Sequence, residues 1–580
     1  MFQQIKQIMV LWTIVPVLAF AGNNTDTIGT GFIQQEAVTI ATRIADKLIR
    51  DTRFSFKLVP QKEELGMQVI DFGKELSAGQ VGYAMRMAKT TKDTVMHLGI
   101  SAAGTVTVWL NHKQVYRHTE KQLQVPKENA YNRFVFSKGF DALFKKGKNE
   151  LLIRYEAGNA RPVVFLRPQQ ANGDLDAAVD FTAVQPFAEW YIMGPFAQSD
   201  SLFDPGQNKP LYNAENGQWY NWHKPAPKLL PVLVIDSSIT YQHDAYAEWH
   251  YANGNTVWSV MNLANATGRK KYLDFIRQYT GFVLDNKNYF QKQYDSLFAF
   301  RGSFHKLFRM TMLDDAGAAV LPFVELFLVN RDPALEKLFL PISEYIINKQ
   351  LRLPDGTFCR PEPIANTVWA DDLFMSVPFL LRMAVITGKQ EYFDETVKQF
   401  INFRKYLLDP VTGLYKHGWF SNTGQRSVIS WGRANGWIAW AAAELLETLP
   451  VTHSGYPKVL AAFREQVATL VKYQEANGMW HQVLNMPESY EETSCTAQFT
   501  LAIARGVRKG WIDPKYKTNA LNGWKAIKSR IDADGTVHGI CRGTEIGFDA
   551  QFYCNRKTMD QDPRGLGAVI TAAIEIEKLQ

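Results

Sequence analysis

Apolar residues alternate with polar ones over short runs in the N-terminal third of the chain, and beyond His243 they recur with a helical period. Gly104 to Trp109 (GTVTVW), Val115 to Arg117, Arg133 to Phe136, Glu150 to Tyr155 and Pro162 to Leu166 are short, rich in β-branched residues and separated by turn signals. This texture, which holds from Asn23 to Val184, predicts a β-sandwich over residues 22–184. Residues 185–243 read as a partly β linking region in which Phe187 to Phe196 (FAEWYIMGPF) is strand-like and the remainder is rich in Pro and Asn.

From 244 to 580 the pattern predicts helices of two kinds. Apolar helices begin near Trp249, Asp314, Val368, Ser430, Glu492 and Asp562, at intervals of about 50 to 70 residues. Each of the first five is followed by a more amphipathic helix, for example Leu335 to Gln350, Glu391 to Leu408, Tyr456 to Tyr473 and Tyr516 to Ile531. Six apolar helices alternating with amphipathic ones describe a double ring of helix hairpins, an (α/α)6 barrel, with the apolar set inside and the amphipathic set facing water. Inner helices of such a ring run parallel, so whatever polar chemistry sits at their N-termini converges at one end.

A chain of 580 residues is too long for one core, and 46% apolar with 21% charged residues predicts globular structure throughout. The formal charge of +7 is small for this length and no Lys/Arg run of the nucleic-acid-binding kind occurs. Residues 1–21, with Lys6 and the apolar stretch Ile8 to Ala21, read as a signal peptide cleaved near Ala21, which predicts a soluble, exported protein, periplasmic or extracellular. No segment is long enough for a membrane span. The four cysteines are Cys359, Cys495, Cys541 and Cys554. They resemble no zinc site, and both a Cys541–Cys554 bridge and free buried thiols fit their spacing.

The inner-helix starts carry Asp314 and Asp315 (LDDAGAA), Trp369, Asp371 and Asp372 (VWADDLF), Trp431 and Arg433 (SWGRANGW), Glu492 and Thr493 (ETSCTA), and Asp562 and Arg564 (DPRGLGA). His417 and Trp419, in GLYKHGW, are expected to hang over the same opening. Two carboxylates entering a strongly apolar helix at Asp371 and Asp372 are costly, and burial is expected to raise the pKa of such a group toward that of a general acid. Indoles stack on sugar rings, Arg binds carboxylate bidentately and converging helix dipoles favour an anion, so the set suits an acidic sugar. Taken singly the residues have plainer readings: Asp314, Glu492 and Asp562 as helix caps, Arg433 as their structural partner, His417 as a satisfied loop histidine, Trp431 and Trp437 as core.

WADDLFMSVPFL, GLYKHGW, SWGRANGW, MWHQVL with ETSCTAQF, and DPRGLGA together resemble the successive motifs of the unsaturated rhamnogalacturonyl hydrolases and unsaturated glucuronyl hydrolases, glycoside hydrolase families 105 and 88. The match spans most of 243–580. VWLNHKQVY followed by FKKGKNELLIRY resembles, separately, jelly-roll accessory modules of glycosidases. The family resemblance implies an (α/α)6 barrel and release of a terminal unsaturated uronic acid from lyase-generated, acidic oligosaccharides, with no metal and no cofactor. It implies protonation of C4 of the C4=C5 double bond by an Asp, addition of water at C5 and expulsion of the aglycone. By position it makes Asp371, rather than Asp372, the general acid and base, one of Asp314 and Asp315 its partner, His417 a residue near water and sugar, and Arg433 the grip on the uronate. Where many relatives have an aromatic and a histidine before the Trp-Asp motif, this chain has DGTFCRPEP with Cys359 and Arg360, which puts the identity of the leaving sugar in doubt. The competing readings are a glucuronidase acting on a saturated uronide with Glu492 or Asp562 as base, a polysaccharide lyase, and a carbohydrate-binding protein in which the aspartates only accept hydrogen bonds from hydroxyls.

Overall fold

Alternating apolar positions in the N-terminal third close into two antiparallel sheets. The computed structural model describes residues 36–59, 66–73, 76–128, 134–170, 173–181, 190–198, 212–213, 218–219, 224–225, 232–236 and 245–579. Six strands run in the order Lys224–Pro225, Tyr191–Phe196, Val81–Thr90, Gly147–Ala157, Gly104–Leu110, Lys113–Glu120, and four in the order Gln68–Asp71, Val163–Gln169, Thr94–Ala102, Lys138–Phe144. Inward residues of both sheets, among them Ala84, Val106, Val108 and Ile153 from the first and Leu98, Ile100, Val164 and Leu166 from the second, share one apolar core. Asn111 and His112 take left-handed backbone (φ 49° and 67°) to turn the hairpin between Leu110 and Lys113. Asn111 then accepts the Glu150 N–H at 2.9 Å and donates to Asn149 at 2.8 Å, which ties this turn to the GKNE strand. The segment read as a signal peptide and most of 185–243 lie outside the described residues.

The reading of 22–184 as uniformly β fails at its start, because Glu36–Asp51 forms helix α1. The remaining helices are α2 (Tyr251–Thr267), α3 (Lys270–Ser296), the one-turn α4 (His305–Arg309), α5 (Gly317–Asn330), α6 (Pro333–Glu344), α7 (Asp371–Thr387), α8 (Gln390–Leu407), α9 (Gly432–Thr448), α10 (Tyr456–Leu470), α11 (Thr493–Arg508), α12 (Lys517–Lys528), the short α13 (Ala550–Cys554) and α14 (Pro563–Leu579). Helices α2, α5, α7, α9, α11 and α14 each pack on the next, and α14 packs back on α2, so the inner ring closes. Outside them lie α3, α6, α8, α10 and α12, each against the inner helix that precedes it, while α1 covers α14. The sixth outer helix therefore comes from the far N-terminus. Its backbone N–H at Val38 donates to Glu577, and Ala41, Ile44, Ala45 and Leu48 are buried in the helical core.

Close approach within the ring depends on small residues. A Cβ at Gly317 would stand 2.0 Å from the Met375 carbonyl oxygen on α7, and one at Gly254 would meet the α5 backbone at 2.5 Å. The sheets are docked on this ring: Phe165, on the outer face of the four-stranded sheet, and Phe134, in the short pair Lys127–Glu128 and Phe134–Val135, meet Phe298 and Phe300 after α3 at centroid distances of 4.8 and 5.5 Å. Among the described residues no helix is long and apolar enough to cross a membrane.

Toward their C-terminal ends the inner helices are tied by a belt of buried alternating charge. Trp258 (α2) and Arg382 (α7) both donate to Glu325 (α5), at 3.0 and 2.8 Å. Arg382 also reaches Glu444 (α9) at 2.9 Å, and Arg505 (α11) joins Glu444 at 2.6 Å to Glu575 (α14) at 3.0 Å. Removing one member of such a network leaves its partners charged and buried without compensation, which costs about 3–5 kcal/mol. Glu444→Ala is thus expected to lower the unfolding free energy of the helical ring, measured by urea titration, by about 3–5 kcal/mol. A change too small to resolve would show that the belt does not hold the ring together.

Candidate active site

The other end of the ring opens into a cavity of about 410 Å³. Its wall includes His250 and Tyr251 at the start of α2, Asp314 and Asp315 before α5, Trp369 and Asp371 at the start of α7, Trp431 and Arg433 at the start of α9, and Arg564 at the start of α14. Lys306, Arg309, Arg360, Arg542, Glu545 and Arg556 complete its charged lining, so cations outnumber carboxylates. The positive ends of several helices point into it, which further favours an anion.

Asp371 opens α7 directly after the strand Thr367–Trp369, which pairs with Gly418–Phe420 and so brings the GLYKHGW loop alongside. As a result His417 Nε2 lies 3.2 Å from Asp371 Oδ2. The imidazole has no exposed surface and sits behind the aspartate, with the Trp431 and Trp369 rings at 4.6 and 5.4 Å. Burial pushes the Asp371 carboxyl up, but the hydrogen bond and charge of His417, with Arg360 and Arg433 nearby, outweigh it and the net direction is down from 3.8. The expected raised pKa at this residue is therefore not found. The cations that crowd it were not part of the argument from an apolar helix.

The four aspartates differ in their surroundings. Asp372 has 1% of its side chain exposed and is gripped by Arg360 through Nε at 2.9 and 3.1 Å and Nη2 at 2.6 Å, and it does not reach the cavity wall. Asp315, 2% exposed, is held by Arg309 through two bonds of 3.1 Å. Asp314 keeps 24% of its side chain exposed and receives one Arg360 bond at 3.0 Å. Burial raises the pKa of Asp314, Arg360 opposes it, and Asp371 and Asp315 push it further up. Asp315 also reaches the wall, but its carboxylate is committed to Arg309, so Asp371 and Asp314 are the two lining aspartates not clamped by a guanidinium through two bonds.

Several sequence-predicted residues lie elsewhere. Glu492, fully buried, caps α11 by accepting the N–H groups of Ser494 and Cys495 and also that of Cys541 at 2.7 Å. Thr493 donates its hydroxyl to the His538 carbonyl at 2.7 Å, and buried Asp562 takes the Arg564 N–H at 2.8 Å at the start of α14. Glu492 and Asp562 serve helix starts, Thr493 ties α11 to the connection after α12, and none of the three is on the wall. Trp419 turns outward onto Tyr406 at 4.5 Å and donates to Gly424. Arg433 reaches the wall, but its guanidinium donates to the carbonyls of Cys541 and Arg542 and to Ser494 at 3.3 Å, so it braces the end of the short strand Ile540–Cys541. Trp437 is core, stacked near Trp440. Cys541 and Cys554 are free thiols.

Arg360, read from sequence only as an aglycone-side departure, joins Asp372 to Asp314 and lies 4.2 Å over the Trp369 ring. His250 and Tyr251 were missed although they occupy the same inner-helix position as the residues that were found, and reading the start of α2 by that rule would have named them. Arg542, Glu545 and Arg556 come from the connection between α12 and α14, where no periodicity points inward.

The linkage at His417 has a definite sign. Burial lowers its pKa below 6.5, Asp371 opposes, and Arg360 and Arg433 lower it further. The unfolded chain therefore binds a proton at a pH where the folded site does not, so this contribution to stability is complete above 6.5 and is lost as pH falls through the folded value. Asp371, with its depressed pKa, adds a second loss at lower pH, below 3.8. The melting temperature of the unaltered protein is expected to fall more steeply below about pH 6.5 than that of His417→Gln. Parallel curves would contradict a buried, neutral imidazole.

The sequence profile of Glycosyl Hydrolase Family 88 matches residues 234–580. The unsaturated rhamnogalacturonyl hydrolase YesR of Bacillus subtilis (strain 168) is 34% identical over 219 residues, 37% of this chain and 62% of that protein. An unsaturated 3S-rhamnoglycuronyl hydrolase of Alteromonas sp. (strain LOR) is 28% identical over 214 residues, 36% of this chain and 50% of that one. The chain thus spans between half and about three fifths of the length of these curated relatives. A glycoside hydrolase from family 105 of C. acetobutylicum ATCC 824 superposes with a TM-score of 0.51 at 25% identity, covering 58% of this chain and 95% of that one.

Proposed function

Because the chain belongs to glycosyl hydrolase family 88, we propose that it is a glycoside hydrolase releasing a terminal 4,5-unsaturated uronic acid from acidic, lyase-generated oligosaccharides. The observation that carries this reading is the contact of Asp371 with buried His417, beside Asp314, in a cation-rich cavity walled by Trp369 and Trp431. The excess of Arg and Lys suits a carboxylate, while Trp369 and Trp431, nearly buried at the wall, sandwich His417.

In this mechanism Asp371 transfers its proton to C4 of the double bond and the cation that results at C5 takes up water. Asp371 accepts a proton from that water, and the hemiketal formed at C5 opens to expel the aglycone. An anionic substrate beside Asp371 offsets Arg360 and Arg433, and in a dry site this raises the aspartate toward the protonated form it needs. A second reading, favoured by the opposite pKa directions of the two carboxylates, makes Asp314 the donor and Asp371 the base. Hydrolysis of a saturated uronide loses support because Glu492 and Asp562, its candidate bases, are committed to helix caps. We read the two sheets as a sandwich of the jelly-roll type bracing the barrel through Phe165 and Phe298, and residues 1–21 as an export signal.

The conjugated double bond of the substrate absorbs in the near ultraviolet. Turnover is expected to bleach that absorbance while releasing a reducing sugar, with saturated uronides inert. Asp371→Asn is expected to reduce the rate by roughly 10²- to 10⁴-fold, the usual worth of a general acid or base, with the circular dichroism spectrum retained. Equal turnover of saturated substrates would overturn the hydration reading. Retained activity in Asp371→Asn, with loss in Asp314→Asn, would transfer the proton donor to Asp314.

A further inference from the structure

Tyr553 lies on α13, in the connection between α12 and α14, and its hydroxyl oxygen is 2.8 Å from His417 Nδ1. The same oxygen accepts the Gly547 backbone N–H at 3.0 Å. On the other side of the ring, His417 Nε2 and Asp371 Oδ2 face each other at an ion-pair distance of 3.2 Å, and neither atom has a hydrogen-bond partner among the described residues. His417 is fully buried between the two indoles, so water does not substitute for any of these groups.

Each partner in this row restricts the next. An ionised Asp371 has only lone pairs to offer, so Nε2 must carry a proton. A neutral imidazole then presents a bare lone pair at Nδ1, which in a dry interior needs a donor. The Tyr553 oxygen already accepts from Gly547, which leaves the phenolic proton to turn toward the ring. We propose that Tyr553 is a positioning residue that holds His417 as the neutral tautomer protonated on Nε2, so that the imidazole acts as a single-proton donor to Asp371. The inference rests on the reading of Asp371 as the group that exchanges a proton with substrate.

Electrostatics agree with the geometry. Burial disfavours the imidazolium at His417, which is faced by Asp371, Arg360 and Arg433, and burial likewise keeps Tyr553, faced by Asp371 and Arg556, a neutral phenol. The connection that carries Tyr553 also brings Arg542, Glu545 and Arg556 to the cavity wall. Seating that connection thus completes the wall and fixes the His417 tautomer together.

The test uses the full chain labelled with ¹⁵N at histidine, with the His417 resonances assigned by their loss in His417→Gln. In the unaltered protein, long-range ¹H–¹⁵N correlations are expected to show a protonated Nε2 and an unprotonated Nδ1 shifted upfield by an accepted hydrogen bond. In Tyr553→Phe the Nδ1 resonance is expected to move downfield toward that of a free imine nitrogen, and turnover of the unsaturated uronide to fall about 10- to 100-fold, the usual cost of losing a histidine's orienting partner. An Nδ1-protonated ring in the unaltered protein overturns the proposal, and this arm needs neither a folded variant nor a substrate. A fall in turnover with Nδ1 unmoved assigns Tyr553 a packing role only, and a moved Nδ1 with full turnover removes it from the reaction; both overturn the proposal. If the unaltered protein turns over no unsaturated uronide, the functional reading fails, while the tautomer measurement still decides what Tyr553 does to His417.

Discussion

Closure of the inner ring is the constraint from which the rest of the molecule follows. Six helices that bury their whole circumference have no lateral face on which to carry polar chemistry, so charged groups are confined to the two ends of the ring. At one end these groups are satisfied among themselves, through Glu325, Arg382, Glu444, Arg505 and Glu575, and the belt binds neighbouring helices. At the other end, where the N-termini gather, the charges are less evenly matched, and this imbalance makes the cavity a site for an anion. The same closure requires a sixth outer helix. It is supplied by α1, which joins a segment near residue 40 to one near residue 570.

Within the cavity the arginines act as selectors among nearly equivalent carboxylates. Asp314 and Asp315 are adjacent, as are Asp371 and Asp372, and each pair is divided by one guanidinium: Arg309 takes Asp315, and Arg360 takes Asp372 while holding Asp314 by a single bond. One aspartate of each pair stays on the cavity wall without such a clamp, Asp314 with a single Arg360 bond and Asp371 beside the His417 imidazole, and their pKa values are displaced in opposite directions. For Asp371 to act as the proposed donor, negative charge arriving with the ligand must offset the cations that hold its pKa down.

The sequence made the ring legible because its signal is long and periodic. Inner-helix starts were placed within a few residues, and the outer helices nearly as closely, from the apolar and amphipathic alternation alone. Helix α1 carries the same kind of pattern in EAVTIATRIADKLIRD, but its partner is more than 500 residues away and it stands next to a β region, so local context hid it. The family resemblance preferred Asp371 to Asp372 but left Asp314 and Asp315 open, and the physical difference within each pair, its tie to Arg309 or Arg360, is not written in the aspartates themselves. Glu492 and Asp562 were legible as helix caps, and that plainer reading describes them. Tyr553 and Arg556 were invisible because they lie on an irregular connection whose path is set by packing against the finished ring.

The central claim is that an aspartate at the mouth of this ring adds a proton to an alkene carbon, rather than attacking or assisting at the glycosidic carbon. The most direct measurement is the position of solvent hydrogen in the product. With the reaction run in deuterium oxide and the released uronic acid examined by NMR, the account predicts one deuteron incorporated at C4 in each turnover. Product formed with no deuterium at C4 would contradict it.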